Sequence, residues 1–467
     1  MEKVPSRTST DPEKNVDSSG VSVSSADQTV NNPALEAKDR TNIGNAKVAG
    51  LTKDLKMTPK QYSIALTVTY VPYIAAELPS NLLLKKIGPN LMLPTMITLW
   101  GIVTACQGTV KSYGGLLACR FFLGLLEGGV FPGLVLYLSF FYPRMRLQTR
   151  IAAFFSAASI SGAFGGILAY GIIHLNGKAG HTGWQWIFII EGAITSFIGL
   201  VSYGFMPASP DHARFLNAEE KAYVKAKLEE DGAINDADSH FSWGEVIKGF
   251  TSIHVLLVGV NFFFSGVVLY SLAYFVPPLI QSLGYTAARA QLMSVPPFSV
   301  AFVLTMISAY ISDRYQSRGW ITVFCAVLCV AGFGTWLGST DHHVQYGSLF
   351  LSVPGVYLGA PALSTWNANN SAPHTRRAAA IAFGFIMTNA GGILATWLLG
   401  SLSAPPRYIK ATQILLAFSV LIGAFAIFNI IYLSHQNKLK AEKRKTMSKS
   451  EEEPGLGDKS AWFVYSL

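Results

Sequence analysis

The chain has 467 residues, half of them hydrophobic, only 13% charged, with a net charge of +9. Such a composition excludes disordered and collagen-like classes and leaves no room for a large water-soluble catalytic domain. The basic residues sit in short loops and the C-terminal tail, a distribution that fits lipid headgroups and does not suggest nucleic acid.

Residues 1–38 are rich in Ser, Asp, Asn and Lys and carry no signal peptide, which reads as a disordered, cytosolic tail. Eleven apolar stretches then run from Gln61 to Leu433, at about 61–84, 91–110, 116–142, 150–174, 185–206, 254–280, 291–312, 319–338, 345–367, 378–401 and 411–433. Each is roughly 20 residues or more, the length a helix needs to cross a bilayer. The expected fold class is therefore an all-α, multi-pass membrane protein. It divides into a polar tail and loop (1–60), a first bundle of five spans (61–206), a linker (207–252), a second bundle of six spans (253–434) and a basic then acidic tail (435–467).

Within the linker, Pro207 and Pro210 end the fifth span and Asn217-Ala-Glu-Glu220 reads as a capping box. The mixed-charge stretch Lys221–Glu230 that follows should be a surface helix. Lys and Arg counts over alternate loops give nine against five, and the richer set shares its side with Lys438–Lys449. That places the C-terminus in the cytosol. Eleven crossings would then put the polar N-terminus outside, so either it is translocated or one helix is missing.

Four charges fall well inside the spans: Glu77, Arg120, Glu127 and Glu191. Arg120 and Glu127 are seven residues apart, which returns them to nearly one helix face, roughly 10 Å apart along the axis. Intramembrane charge is costly, so such residues face a cavity or pair with each other. A structural ion pair is the plain alternative. Glu77 stands two residues before Pro79, which suits a structural or gating role. Glu191 follows Trp184, Trp186 and Phe188, an interface-belt pattern.

The second half has no charge inside its spans. Its polar side chains in aromatic settings are Asn261, Tyr270, Tyr274, Trp366, Asn367, Asn370 and Asn389, with Tyr70 and Tyr73 as first-half counterparts. Asn389 precedes Gly391-Gly392, where two helices could approach closely. His174, His254 and His374 sit at span ends and read as interface residues. Cys106, Cys119, Cys325 and Cys329 all lie in apolar spans and read as packing residues; no metal cluster and no disulfide framework is expected. A nucleophile–base pair or nucleotide loop, which an integral-membrane enzyme would need, is not found.

Several motifs occur in order: Asp39-Arg-Thr-Asn-Ile-Gly-Asn-Ala-Lys47, Glu77-Leu-Pro-Ser-Asn81, Arg120-Phe-Phe-Leu-Gly-Leu-Leu-Glu127, Phe155-Ser-Ala-Ala through Phe164-Gly-Gly166, Trp186-Ile-Phe-Ile-Ile-Glu-Gly192, Trp366-Asn-Ala-Asn-Asn370 with Ala372-Pro-His-Thr-Arg-Arg377, and Ala404-Pro-Pro-Arg-Tyr408. Together they resemble the fungal allantoate-permease-type anion:cation symporters of the major facilitator superfamily. The resemblance implies the major facilitator fold: twelve helices in two pseudo-symmetric bundles, with cargo bound between them and alternating access by rocking. It also implies a hydrophobic first helix before Asp39. Pro33–Lys38 cannot span, so the chain looks like the family with that helix deleted.

The resemblance further implies that Arg120 holds an anionic substrate while Glu127 takes up the driving proton. A carboxylic acid that loses its neighbouring cation holds a proton more firmly, which links the two events. Asp39 would be a second proton site and Arg40 a second anion contact. Tyr70, Tyr73, Tyr274, Asn367 and Asn389 complete the candidate substrate set. Glu77 and the pair Asp313-Arg314 are gating candidates, the latter at the place of the superfamily's short gating motif; Lys85 stands where the first-half copy expects an acid.

One pH unit supplies about 1.4 kcal/mol per proton, and 100 mV about 2.3 kcal/mol per charge. A monoanion with one proton gains nothing from voltage, hence the interest of a second proton site. The reading is a monomeric plasma-membrane carrier whose coupling ion is the proton, with no other cofactor. Its partners are the bilayer and a small organic anion, such as allantoate, nicotinate, pantothenate or biotin. Transport is expected to be impaired without a first helix. A truncated, non-transporting relative and a sugar carrier of the same superfamily are the alternatives.

Overall fold

The computed structural model describes residues 42–139, 141, 164–214, 216–230, 243–315, 317–372, 374–403, 408–447, 452 and 456–467. Every long apolar run within these residues is helical, because a helix is the only open-ended way to satisfy backbone polar groups in hydrocarbon. The first half contains α1 (Pro59–Ile87), α2 (Pro89–Gln107), α3 (Tyr113–Glu127), α4 (Val130–Ser139), α5 (Phe164–Ile173) and α6 (Gly183–Phe205). Two helices of the linker follow, α7 (Ala218–Glu230) and α8 (Trp243–Thr251). The second half contains α9 (Ile253–Ser282), α10 (Ala287–Tyr315), α11 (Arg318–Gly338), α12 (His342–Asn369), α13 (His374–Trp397) and α14 (Ile409–Thr446).

Among the described residues, eight helices are long and apolar enough to cross a membrane. The other three of the eleven expected spans differ for identifiable reasons. Helix α1 is 29 residues long but loaded with Tyr, Thr, Ser and Glu77. The span expected at 116–142 is interrupted at Gly128–Gly129 into α3 and α4, and only the second part of 150–174 is described, as α5. Large apolar side chains such as Phe197, Phe205, Val303, Phe324, Val420 and Phe428 lie more than half exposed on the outer surface. A lipid environment accounts for that face; water would not.

Close approach through glycine organises both halves, as expected where lipid offers helices no hydrophobic incentive to associate. Gly124, Gly128, Gly129 and Gly133 press α3 and α4 against Thr69, Tyr73, Ser80 and Leu84 of α1. Gly101 and Gly192 do the same between α2 and α6. In the second half, Gly391 faces the Phe263 carbonyl and Gly266 faces Thr388, joining α9 to α13. The close approach expected at Gly391–Gly392 is thus present, with Gly392 turned to the first half: a Cβ there would lie 2.7 Å from the Tyr70 ring. Cys325 and Cys329 pack against Gly355 and Gly359.

The seam between the halves runs along α1 and α13, with α9 alongside. Ser63 Oγ donates to the Thr396 carbonyl (3.0 Å), Thr67 and Thr396 share a hydroxyl hydrogen bond (2.9 Å), and Trp397 Nε1 donates to Thr67 Oγ1 (3.1 Å). A second crossing pairs α5 with α10, where Gly166 abuts Ser294 and Gln291.

Two segments depart from expectation. Residues 42–48, assigned above to a polar tail and loop, form a buried helix in which Asn42, Ile43, Asn45 and Ala46 are almost fully enclosed. The C-terminal tail is also docked. Asp458 pairs with Arg376 of α13 at 2.6 Å, both side chains under a tenth exposed. Lys440 Nζ donates to the Asp458 and Phe463 carbonyls (2.5 and 3.0 Å), while Asn437 and Tyr465 exchange two hydrogen bonds. In the linker, the Asn217 amide donates to Glu220 Oε2 at 2.8 Å, one half of the expected capping box, ahead of α7.

Candidate functional site

Helix α3 starts at Ser112, whose hydroxyl accepts from the Gly115 amide (3.2 Å). Its buried face is Leu116, Arg120, Leu123, Gly124 and Glu127, a run at helical spacing turned to the protein interior. Arg120 is 2% exposed and Glu127 fully enclosed. The Arg120 guanidinium lies 5.7 Å from the centre of the Phe188 ring on α6. Two formal charges on one enclosed face of an apolar helix are retained only where ligand, proton or partner uses them. The Gly124–Gly128 approach to α1 brings that face beside the seam helix.

At the seam itself the tyrosines converge. Tyr70 of α1 and Tyr274 of α9 share a 2.7 Å hydrogen bond across the halves. Tyr270 meets Tyr70 edge-on at 5.5 Å and stacks on Tyr274 at 5.9 Å. The Tyr270 hydroxyl reaches Asn389 Oδ1 at 3.4 Å. Three of the expected substrate residues, Tyr70, Tyr274 and Asn389, therefore belong to one cluster, with Tyr270 as its fourth member. The flat faces and hydroxyls of this cluster suit a planar polar molecule.

A second group lies around the 42–48 helix. The Tyr62 hydroxyl donates to the Ile43 carbonyl (3.3 Å), and Gln291 Nε2 donates to the Asn45 carbonyl (3.3 Å). Lys47 Nζ sits 4.5 Å from the Tyr62 ring centre and 5.0 Å from that of Phe275. Arg120, Tyr274 and Tyr408 lie close enough to interact electrostatically with Tyr62. Lys47, Tyr62 and Phe275 were not singled out from sequence. The available signal was Lys47 itself, the only basic residue of the Asn42–Val48 stretch.

The remaining candidates fall elsewhere. Asn367 Nδ2 donates to the Ala380 carbonyl (2.8 Å), tying α12 to α13 and not to the tyrosine cluster among the described residues. Trp366 and Asn370, polar side chains in aromatic settings, both donate to the Ser466 carbonyl and hold the tail. His254 and Trp184, read as interface residues, are buried: His254 Nδ1 meets Asn429 Oδ1 at 3.1 Å, and Trp184 Nε1 donates to Asp54 at 2.6 Å. Glu191 is enclosed in α6. Tyr73 is buried on α1, with its carbonyl against Gly128. Glu77 is half-buried on α1 and Arg314 exposed at the end of α10. Asp39, Arg40 and the Asp313 side chain lie outside the described residues.

Compared with known proteins, the sequence matches the Major Facilitator Superfamily over residues 33–396. The chain belongs to that superfamily. It is 36% identical to an uncharacterized transporter of Schizosaccharomyces pombe, over 92% of this chain and 86% of that one. It is 31% identical to the high-affinity nicotinic acid transporter of Saccharomyces cerevisiae, over 92% and 81% respectively. Among solved structures, a bacterial homolog of the human lysosomal transporter Spinster, in an inward-facing unoccupied conformation, has a TM-score of 0.67 at 15% identity, covering 88% of this chain and 96% of that one. The superfamily fold and a role in secondary membrane transport follow. The seam described above is then the contact between the two halves of a major facilitator protein.

Proposed function

We propose that this protein is a proton-coupled symporter of a small organic anion, of the allantoate-permease type, in the plasma membrane with its C-terminus in the cytosol. The observation that carries this reading is the enclosure of Arg120 and Glu127 on one face of α3, beside an aromatic seam. Arg120 supplies the positive charge for a carboxylate, and Tyr70, Tyr270, Tyr274 and Asn389 supply stacking faces and hydrogen bonds for the rest of the cargo. Glu127 accepts the proton when cargo draws on the guanidinium, so that both bind together. A relative named for nicotinic acid, a planar carboxylate, supports the same substrate class.

Alternating access would require the Tyr70–Tyr274 and Ser63–Thr396 contacts to part. Each is a neutral hydrogen bond worth about 1 kcal/mol net, small enough to be remade in every cycle. The test is uptake of a panel of radiolabelled carboxylates, nicotinate included, at two external pH values. The wild-type chain, an Arg120→Ala variant and a version with an apolar helix placed before Asp39 are compared. Acid-stimulated uptake of at least one carboxylate, lost in Arg120→Ala, is the expected result. The third version measures how far transport responds to an added apolar helix at that place. Uptake indifferent to pH and to Arg120 would refute the reading.

A further inference from the structure

We propose that Lys47 is a second anion-binding residue of this carrier, contacting a carboxylate of the cargo, and that the Tyr62 and Phe275 rings hold its ammonium in the absence of anion. The inference rests on the transport reading above and adds a site to it. Lys47 is fixed in place from both halves. Its helix is bonded to Tyr62 of α1 through Ile43 and to Gln291 of α10 through Asn45, and Gly44 abuts the Tyr274 carbonyl of α9. The side chain is half-buried and, among the described residues, no carboxylate pairs with it. Asp54, the nearest acid along the chain on its C-terminal side, accepts the Trp184 indole instead.

Ring faces attract an ammonium without neutralising it. A carboxylate would serve the charge better, and exchange between the two is cheap. Tyr62 also links this cation to the first one, since Arg120 acts on the same tyrosine. Phe275 lies on the opposite half from Tyr62, so drawing the ammonium off its rings also loosens a contact between halves.

The full chain, purified and reconstituted, is tested with radiolabelled nicotinate and the same carboxylate panel. Uptake KM and Vmax and equilibrium binding in detergent are measured for wild type, Lys47→Met, Lys47→Gln, Lys47→Arg and Arg120→Ala. The neutral variants should raise KM and the dissociation constant about tenfold or more with Vmax within about twofold, and Lys47→Arg should stay within about threefold, as expected for a charge-assisted contact. Two neutral variants of different polarity guard against misfolding of one. A KM unchanged by neutral variants, or a fall in Vmax alone, overturns the inference while Arg120-dependent uptake leaves the transport reading intact. Lys47-dependent binding without uptake upholds the inference and refutes the transport reading. Neither binding nor uptake refutes both.

Discussion

Helix α13 joins two regions built on different chemistry. Near its Trp397 end it meets the other half of the molecule through hydroxyls and rings: Thr396 with Ser63 and Thr67, and Gly392 against Tyr70. Near its His374 end it meets the C-terminal tail through charge: Arg376 with Asp458, both enclosed, beside Lys440 under the Tyr465 ring at 3.7 Å. The ends are roughly 30 Å apart at 1.5 Å per residue. Neutral single hydrogen bonds suit a surface that must separate repeatedly. An enclosed ion pair with several accessory hydrogen bonds suits a joint that stays closed, tying the tail to α12, α13 and α14. The difference teaches where this carrier should bend and where it should not.

The largest expected effect is at the tail joint. Asp458→Ala removes the carboxylate paired with the buried Arg376 guanidinium, at a cost of up to about 3–5 kcal/mol, and should lower the melting temperature of the detergent-purified protein by several degrees. Replacing both partners, Arg376→Met with Asp458→Leu, should recover most of that loss. If the single variant melted like wild type, the tail would not be a fixed joint and the contrast would fail.

The seam should respond less in stability and more in conformation. Gly392→Ala places a methyl against the Tyr70 ring, an overpacking of about 1–3 kcal/mol that falls on the closed seam alone. Faster hydrogen exchange over 392–403, with little change in melting temperature, is the expected outcome. Tyr70→Phe removes one hydroxyl hydrogen bond of about 1 kcal/mol, and should shift the balance of closed and open seam roughly fivefold in the same direction. Slower exchange in either variant would show that the seam is not the yielding contact.

The smallest effect concerns pH at the tail. Burial holds the Lys440 ammonium down to about 8 from its ordinary value of 10.5, against the pull of Asp458 and Glu452. The folded state therefore binds fewer protons at Lys440 than the unfolded state between about pH 8 and 10.5, so this group's contribution to stability rises with pH across that window. Relative to Lys440→Met, the wild-type melting temperature should climb by about 1–2 °C per pH unit there. A decline would mean that the ammonium stabilises the dock.

The sequence makes the spans legible because apolar length alone specifies a crossing helix, and Gly391–Gly392 is legible because small residues permit close approach. Arg120 and Glu127 stand out because charge within an apolar run has few explanations. The tail joint is not legible: Asp458 and Arg376 are 82 residues apart, and each looks like an ordinary surface charge in its own neighbourhood. The 42–48 helix is missed for a related reason. Asn42, Asn45 and Lys47 make the segment look like a loop, whereas burial between two halves supplies partners for its backbone carbonyls. Asn367 stands out in the opposite sense: a polar group in an aromatic setting, it serves packing within one half, as Trp366 and Asn370 do at the tail.

The central claim, that the enclosed Arg120 and Glu127 couple anion to proton, is tested most directly by comparing Glu127→Gln with wild type in proteoliposomes loaded with a transported carboxylate. The account predicts that the variant still exchanges labelled for unlabelled anion but no longer accumulates it when an inward proton gradient is imposed, whereas Arg120→Ala loses both by roughly 10–100-fold, the worth of a charge-assisted hydrogen bond. Proton-driven accumulation by Glu127→Gln at the wild-type level would contradict it.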